Sequence, residues 1–153
     1  MIETTIQCWN GTDKQVDAVL LFNVLAHLGQ ADRQALFQKL STQWLTANGI
    51  VIVIEKRNEP NGGYLSVLER LGKPVKCHYD EAERDMLTAG FSLEYTQSMW
   101  GTDDIEPNPS EASVKFIQMV SESSEQEVRS AVAEWFEENQ QSVWHNKFAI
   151  FRK

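Results

Sequence analysis

The stretch that most constrains the fold is Val16–Leu28, an apolar run with a single early charge and one polar break. Its first seven residues, Val16–Phe22, are apolar except for Asp17. A short continuous apolar run of this kind is typical of a β-strand in a parallel sheet. Asn23 interrupts the run where the strand would end, and ligands of open α/β sheets bind at the carboxyl ends of strands. The stretch therefore predicts a central strand with a binding site at its end.

A second strand and an intervening helix complete the same unit. Ile50–Ile54 contains only β-branched residues and is followed by Glu55. Between the strands, Ala31–Thr46 spaces its apolar residues for one helical face, and Asn48-Gly49 is typical of a helix C-terminus. Strand, helix and strand in this order predict a right-handed crossover between parallel strands. We therefore expect an α/β fold with a mostly parallel sheet.

The rest of the chain continues to alternate between helical and strand-like patterns, and residues 1–153 have the length of a single domain. Trp100–Pro109 is acidic and contains two prolines, which predicts a loop. Near the start, Thr4–Trp9 has a strand-like composition and is followed by turn residues. The patterns predict helices at Tyr64–Leu71, Asp80–Ala89, Ser110–Val120 and Glu125–Asn139, and strands at Phe91–Thr96 and Val143–Phe151.

Charge and composition exclude several classes of partner. The net charge of −8 argues against binding to nucleic acid or to an anionic membrane, since both require a basic surface. No apolar run approaches the roughly 20 residues that span a bilayer, and no signal peptide is visible. Cys8 and Cys77 form no metal-binding motif and are too few for a disulfide framework, so we expect a cytoplasmic setting.

The order of these elements resembles the C-terminal half of a class I S-adenosylmethionine (SAM)-dependent methyltransferase. Within that superfamily the chain is most similar to histamine N-methyltransferase. The resemblance implies a partial Rossmann-like layered fold, SAM as the family's cofactor and a small amine as its substrate. It rests on the order and spacing of five segments: Val16–Leu28, Gly63–Leu68, Lys76–Tyr79, Ala89–Phe91 and Trp144–Phe148.

The resemblance also implies that the N-terminal cofactor-binding half of the family's fold is lacking. The family's first strand, its glycine-rich turn and the acidic residue that binds the cofactor ribose should precede Val16, and only 15 residues do so. No Gly-x-Gly sequence occurs, and Gly62-Gly63 follows a different strand. We therefore expect no cofactor in the isolated chain, and SAM only if the family's activity is retained.

Candidate site residues follow from the resemblance position by position. Methyl transfer depends mainly on alignment of the reactants, so we expect neither a catalytic acid–base residue nor a metal site. Three plainer interpretations stay open: Asn23 as a helix cap, Tyr64 as core packing and Asn146 as a bulge residue. The resemblance implies cofactor contacts for Phe22 and Asn23, and substrate contacts for Asn23, Tyr64, Leu68, Cys77, Tyr79 and Asn146.

Two functions remain open at this point, and so does the question of whether the chain is an enzyme. The first is a non-catalytic binding or regulatory module. The second is an active amine N-methyltransferase that is completed by a second chain or by residues outside this sequence. Without the family's first strand, Val16–Phe22 would be an exposed apolar edge. Thr4–Trp9 could fold back onto that edge, but we expect a homodimer through it.

Overall fold

The structure is a computed structural model that describes residues 15–57, 62–102, 105–140 and 142–153, so Thr4–Trp9 lies outside the described residues. A 3₁₀ turn (Leu25–His27) follows the first strand, and a π-helical turn (Leu40–Trp44) continues the first helix. The strands are β1 (Val16–Phe22), β2 (Leu45–Lys56), β3 (Ser92–Thr102) and β4 (Val143–Arg152). The helices are α1 (Gln30–Lys39), α2 (Gly63–Arg70), α3 (Tyr79–Thr88), α4 (Glu111–Ser121) and α5 (Glu125–Asn139).

The four strands form one sheet in the order β1-β2-β4-β3. β1 runs parallel to β2, with Phe22 opposite Ile54. β4 runs antiparallel to β2, with Phe148 opposite Ile54, so the sheet is mixed. The predicted α/β fold class is confirmed, and the strands predicted at Phe91–Thr96 and Val143–Phe151 belong to the same sheet as β1 and β2. Within the described part of the chain, β1 lies at one edge.

The end of the first helix and the start of β2 differ from the sequence prediction. The helix predicted over Ala31–Thr46 ends early because Leu45, which is fully buried, already pairs with Val16 at the start of β2. Asn48-Gly49 is therefore not a helix C-terminus but lies within β2, at a shift in the β1–β2 register. A Cβ atom at Gly49 would lie 2.9 Å from the Cβ of Leu45, so the irregularity favours glycine there.

The loop predicted at Trp100–Pro109 also begins later than expected, because β3 continues to Thr102. Trp100 stacks on the His145 ring, with the ring centroids 3.5 Å apart. A Cβ at Gly101 would lie 2.2 Å from the Trp144 ring, so glycine allows the two strands to approach closely. Aromatic contacts thus extend the strand into a segment whose prolines and acids indicate a loop.

The chain divides into two compact units, one formed by Met1–Arg57, Lys76–Ser98 and Asn146–Lys153, the other by Asn58–Val75 and Met99–His145. The core of the first unit joins one face of the sheet to α1 and α3. Its members include Leu21, Val51, Val53, Leu36, Phe37, Leu40, Ala82, Met86, Ala149 and Phe151. The core of the second unit joins α2, α4 and α5, with Val67, Leu68, Val114, Ile117, Val128, Val132 and Trp135 among its members.

The opposite face of the sheet in the first unit is apolar and partly exposed. Leu20 is 59% exposed and Phe22 is 56% exposed, whereas Leu21 between them is buried. The buried side chains of α1 and α3 belong to the core on the face that carries Leu21. The described helices therefore cover only one of the two faces of β1. The strand period of two places the following residues on the open face: Ala18, Leu20, Phe22, Ile52, Ile54, Phe148 and Ile150.

A matched pair of leucines tests the position of the first core. Leu40, the first residue of the π-helical turn after α1, is fully buried, and Leu87 on α3 is 47% exposed. Leu40→Ala should lower the free energy of unfolding by about 2–5 kcal/mol, because it removes buried apolar contacts and leaves a cavity. Leu87→Ala should change it by less than about 1 kcal/mol. Urea unfolding followed by circular dichroism measures both, and equal losses would contradict the assignment.

Candidate functional site

The candidate site lies at the carboxyl end of β1, where Asn23 turns the chain. Asn23 has a φ of 50°, in the left-handed region that asparagine tolerates better than most residues. Its backbone N–H donates to the carbonyl oxygen of Ile54 at 2.9 Å. Val24, not Asn23, occupies the cap position of the following 3₁₀ turn. The Oδ1 atom of Asn23 is buried and has no hydrogen-bond partner among the described residues.

Glu55, at the end of β2, holds the turn that follows Asn23. Its side chain is buried, and Oε2 accepts hydrogen bonds from the backbone N–H groups of Leu25 at 2.9 Å and Ala26 at 3.3 Å. Burial raises the pKa of the Glu55 carboxyl above its usual value, and the backbone N–H groups oppose that shift. Sequence reasoning treated Glu55 only as the end of a strand. An acidic residue directly after five β-branched ones was the available signal.

A buried ion pair between Arg33 and Asp85 holds the segment that precedes α3. Nη2 of Arg33 lies 2.9 Å from Oδ2 of Asp85, and Nη1 of Arg33 donates to the carbonyl oxygens of Leu28 and Lys76 at 2.9 and 3.2 Å. The N–H of Lys76 in turn donates to the carbonyl oxygen of Ala26 at 2.8 Å. These bonds attach the segment before α3 to the turn after β1, so both parts are positioned together.

Cys77 and Tyr79 follow directly on that attached segment, and both side chains are buried in the core of the first unit. The Cys77 thiol donates to the carbonyl oxygen of His78, with Sγ and O 3.1 Å apart. Burial raises the pKa of Cys77 to about 12 and also raises the pKa of Tyr79. Both groups are therefore neutral at pH 7, and the thiol is no nucleophile there.

Asn146 and Phe22 lie on the open face of the sheet. Asn146 pairs with Lys56 in the regular β2–β4 ladder, so it is not a bulge residue. Because alternate residues share a face, Asn146 and Phe22 are on the same side of the sheet. The Oδ1 atom of Asn146 is buried without a hydrogen-bond partner in the described part of the chain. Two strand spacings, about 10 Å, separate the β1 and β4 backbones that carry Asn23 and Asn146.

Tyr64 and Leu68 belong to the second unit. The Tyr64 ring is half-buried and stacks on Phe116, with ring centroids 5.5 Å apart. Leu68 is buried in the core of that unit. Of the predicted site residues, the structure therefore places Phe22, Asn23 and Asn146 at one end of the sheet in the first unit, and Cys77 and Tyr79 in that unit's core.

Two features of the described residues that could serve a cofactor, a glycine pair and a buried carboxylate, are already engaged within the protein. A Cβ atom at Gly63 would lie 2.4 Å from Oγ of Ser142, so the space beside Gly62-Gly63 is filled by protein rather than open to a ligand. The carboxylate of Glu55 is already bound by backbone N–H groups. Among the described residues, no group of three or more metal-ligating side chains forms a metal site, and no helix is long and apolar enough to cross a membrane.

No protein-family model and no curated protein matches this sequence, but solved structures share its fold. A protein assigned as a methyltransferase from Bacillus halodurans C-125 is 10% identical, with a TM-score of 0.68, and the match covers 100% of this chain and 76% of that one. A mycolic acid cyclopropane synthase in complex with SAH and CTAB is 13% identical, with a TM-score of 0.55 and coverage of 93% and 57%.

A third structure supports the same assignment of fold. A protein assigned as a sarcosine dimethylglycine methyltransferase from Galdieria sulphuraria is 14% identical, with a TM-score of 0.56 and coverage of 98% and 57%. The chain thus spans about three quarters of the first protein and 57% of the other two. At these identities the likeness concerns the fold alone. The chain has the mixed α/β, Rossmann-type fold of class I methyltransferases.

Substitution of Glu55 tests the turn that shapes the site. Because burial raises its native pKa above the value of 4.5 that an exposed carboxyl has, the native state binds the proton more tightly than the unfolded state does. The Glu55 contribution to the free energy of unfolding should therefore rise as the pH falls through the native pKa, and be lost as the pH rises through it.

Glu55→Gln keeps an acceptor oxygen and removes the buried charge. We expect its stability at pH 7 to equal or exceed that of the wild type, and the wild type to gain on the variant as the pH falls from 8 towards 4.5. Glu55→Ala should cost about 2 kcal/mol or more at pH 7, because two N–H groups lose their partner. Urea unfolding across this range measures both, and a pH-independent difference for Glu55→Gln would contradict the assignment.

Proposed function

We propose that this chain is a cytoplasmic small-molecule-binding module built on a methyltransferase fold, and that it does not transfer methyl groups by itself. Its ligand is a small amine, in the manner of histamine N-methyltransferase. The observation that carries the proposal is a pair of buried carboxamide oxygens, those of Asn23 and Asn146 at one end of the sheet, for which the described residues supply no hydrogen-bond partner.

The two asparagines suit an amine because a carboxamide oxygen accepts a hydrogen bond that an amine or ammonium group donates. A buried polar atom without a partner costs free energy, so a ligand that supplies the missing bond gains affinity. The net charge of −8 favours approach of a cation over an anion. Phe22, on the same face as Asn146, offers an exposed aromatic ring at this end of the sheet.

The non-catalytic part of the proposal rests on the glycine pattern of the sequence and on the packing around Gly63. The sequence contains no Gly-x-Gly turn, and the glycine pair that it does contain is packed against Ser142. The buried thiol of Cys77 and the phenol of Tyr79 stay neutral, which supports a role in packing rather than in proton transfer.

A second candidate is an amine N-methyltransferase that is completed by another polypeptide or by residues outside this sequence. The sheet face that the described helices leave open favours it, because parallel strands are normally covered on both faces. It predicts methyl transfer from SAM to an amine only when the completing residues are present, whereas the binding module shows none.

Calorimetric titration with histamine and, separately, with SAM tests the binding module. We expect histamine to bind and SAM to give no measurable heat. Asn146→Ala and Asn23→Gly should each weaken histamine binding about fivefold to tenfold, the loss of roughly one hydrogen bond. Glycine is the replacement at Asn23 because the backbone there has a positive φ.

Asn48→Ala is the matched control, since Asn48 is an exposed residue at the opposite end of β2 and should leave affinity unchanged. Equal losses in all three variants, or no binding of histamine, would refute the amine site. A micromolar dissociation constant for SAM, about −8 kcal/mol, would refute the non-catalytic assignment.

A further inference from the structure

We propose that β1 pairs with β1 of a second copy of this chain, antiparallel across a two-fold axis, so that the two sheets become continuous. The feature that points to this is a strand edge that no described strand covers, beside an exposed apolar face. β1 pairs with β2 on one side, and no other strand among the described residues adjoins its outer edge. Its outward backbone N–H and C=O groups can therefore pair with another strand.

β1 carries few of the devices by which natural proteins protect an edge. Such strands usually contain lysine or proline, which prevent pairing, and Val16–Phe22 contains neither. Its one charged residue, Asp17, accepts a hydrogen bond from Oγ1 of Thr46 at 3.0 Å. Leu20 and Phe22 are both more than half exposed on the open face. The edge thus combines apolar side chains with backbone groups that the described strands leave unpaired.

A second copy is the occupant that matches this edge best. In an antiparallel pair, opposite residues share a face, so placing Leu20 opposite the second copy's Leu20 puts Phe22 opposite the second copy's Ala18. A large side chain then meets a small one on each side of the axis. Asp17 of each copy faces Asn23 of the other. The two Asp17 residues are about 20 Å apart along the strands, which exceeds the Debye length of about 8–10 Å, so salt screens their repulsion.

The size of the contact sets the affinity that we expect. Seven residues of strand extend about 23 Å, and one strand pair with the side chains of Leu20 and Phe22 buries less than the roughly 800 Å² per partner of a standard interface. The dimer should therefore dissociate in the micromolar range, about 1–100 μM. It should be visible at laboratory protein concentrations and should depend on dilution.

Sedimentation of the full chain from about 5 to 300 μM tests the dimer directly, across the dissociation range expected above. We expect a monomer–dimer equilibrium for the wild type and a monomer for Leu20→Lys, because two ammonium groups would meet at the axis. Leu87→Lys is the matched control, as Leu87 is a similarly exposed leucine of the same unit, and it should dimerise like the wild type. A wild type that stays monomeric throughout would overturn the proposal and point to another occupant, such as the chain's own residues 4–9.

Disulfide crosslinking tests the register and does not depend on the lysine variant folding. In a Cys8→Ser background, Leu20→Cys should form a covalent dimer on mild oxidation, since directly opposite Cβ atoms lie about 4.5–5.5 Å apart, close to disulfide reach. Leu87→Cys in the same background should stay monomeric under these conditions. Equal crosslinking of the two variants, or none at Leu20→Cys, would overturn the pairing described here.

Discussion

The candidate site depends on the hydrogen bonds that the buried carboxylate of Glu55 accepts from the turn after β1. The carboxylate binds the N–H groups of Leu25 and Ala26, and Ala26 in turn accepts a bond from Lys76, whose carbonyl oxygen is held by Arg33. The chain of bonds runs from the end of β2 through the turn after β1 to the start of α3. A site formed by loops at a sheet edge keeps its shape only when such bonds fix the loops to the scaffold.

The one-sided covering of the sheet is the second constraint. The core side chains of α1 and α3 pack against the face that carries Leu21, and the described residues leave Leu20 and Phe22 exposed on the other. An apolar face of this kind has a free-energy cost in water, which burial against another surface removes. The same feature therefore favours both a partner at the edge and a completing polypeptide over the face.

Local sequence patterns predicted which helices and strands form better than they predicted where each one begins and ends or which residues it contacts. The largely apolar run at Val16–Phe22 and the helical spacing of Glu125–Asn139 predicted β1 and α5 to the residue. The start of β2 was missed because Leu45 fits a helical face equally well, and only its pairing with Val16 decides. The role of Glu55 was missed for the same reason: its partners are about 30 residues away in sequence. The division into two units was also not visible in a sequence of single-domain length.

The proposed dimer and the proposed amine site meet at the end of β1. Phe22 belongs to the pairing strand, and Asn23, the next residue, carries a buried Oδ1 atom without a hydrogen-bond partner among the described residues. In the register proposed above, Asn23 of each copy lies opposite Asp17 of the other, so pairing would add a carboxylate next to the site. A cationic ligand would then bind the dimer more tightly than the monomer. By thermodynamic linkage, the same ligand would strengthen dimerisation by an equal factor. One coupling free energy would therefore describe the effect of ligand binding on dimerisation and the effect of dimerisation on ligand binding.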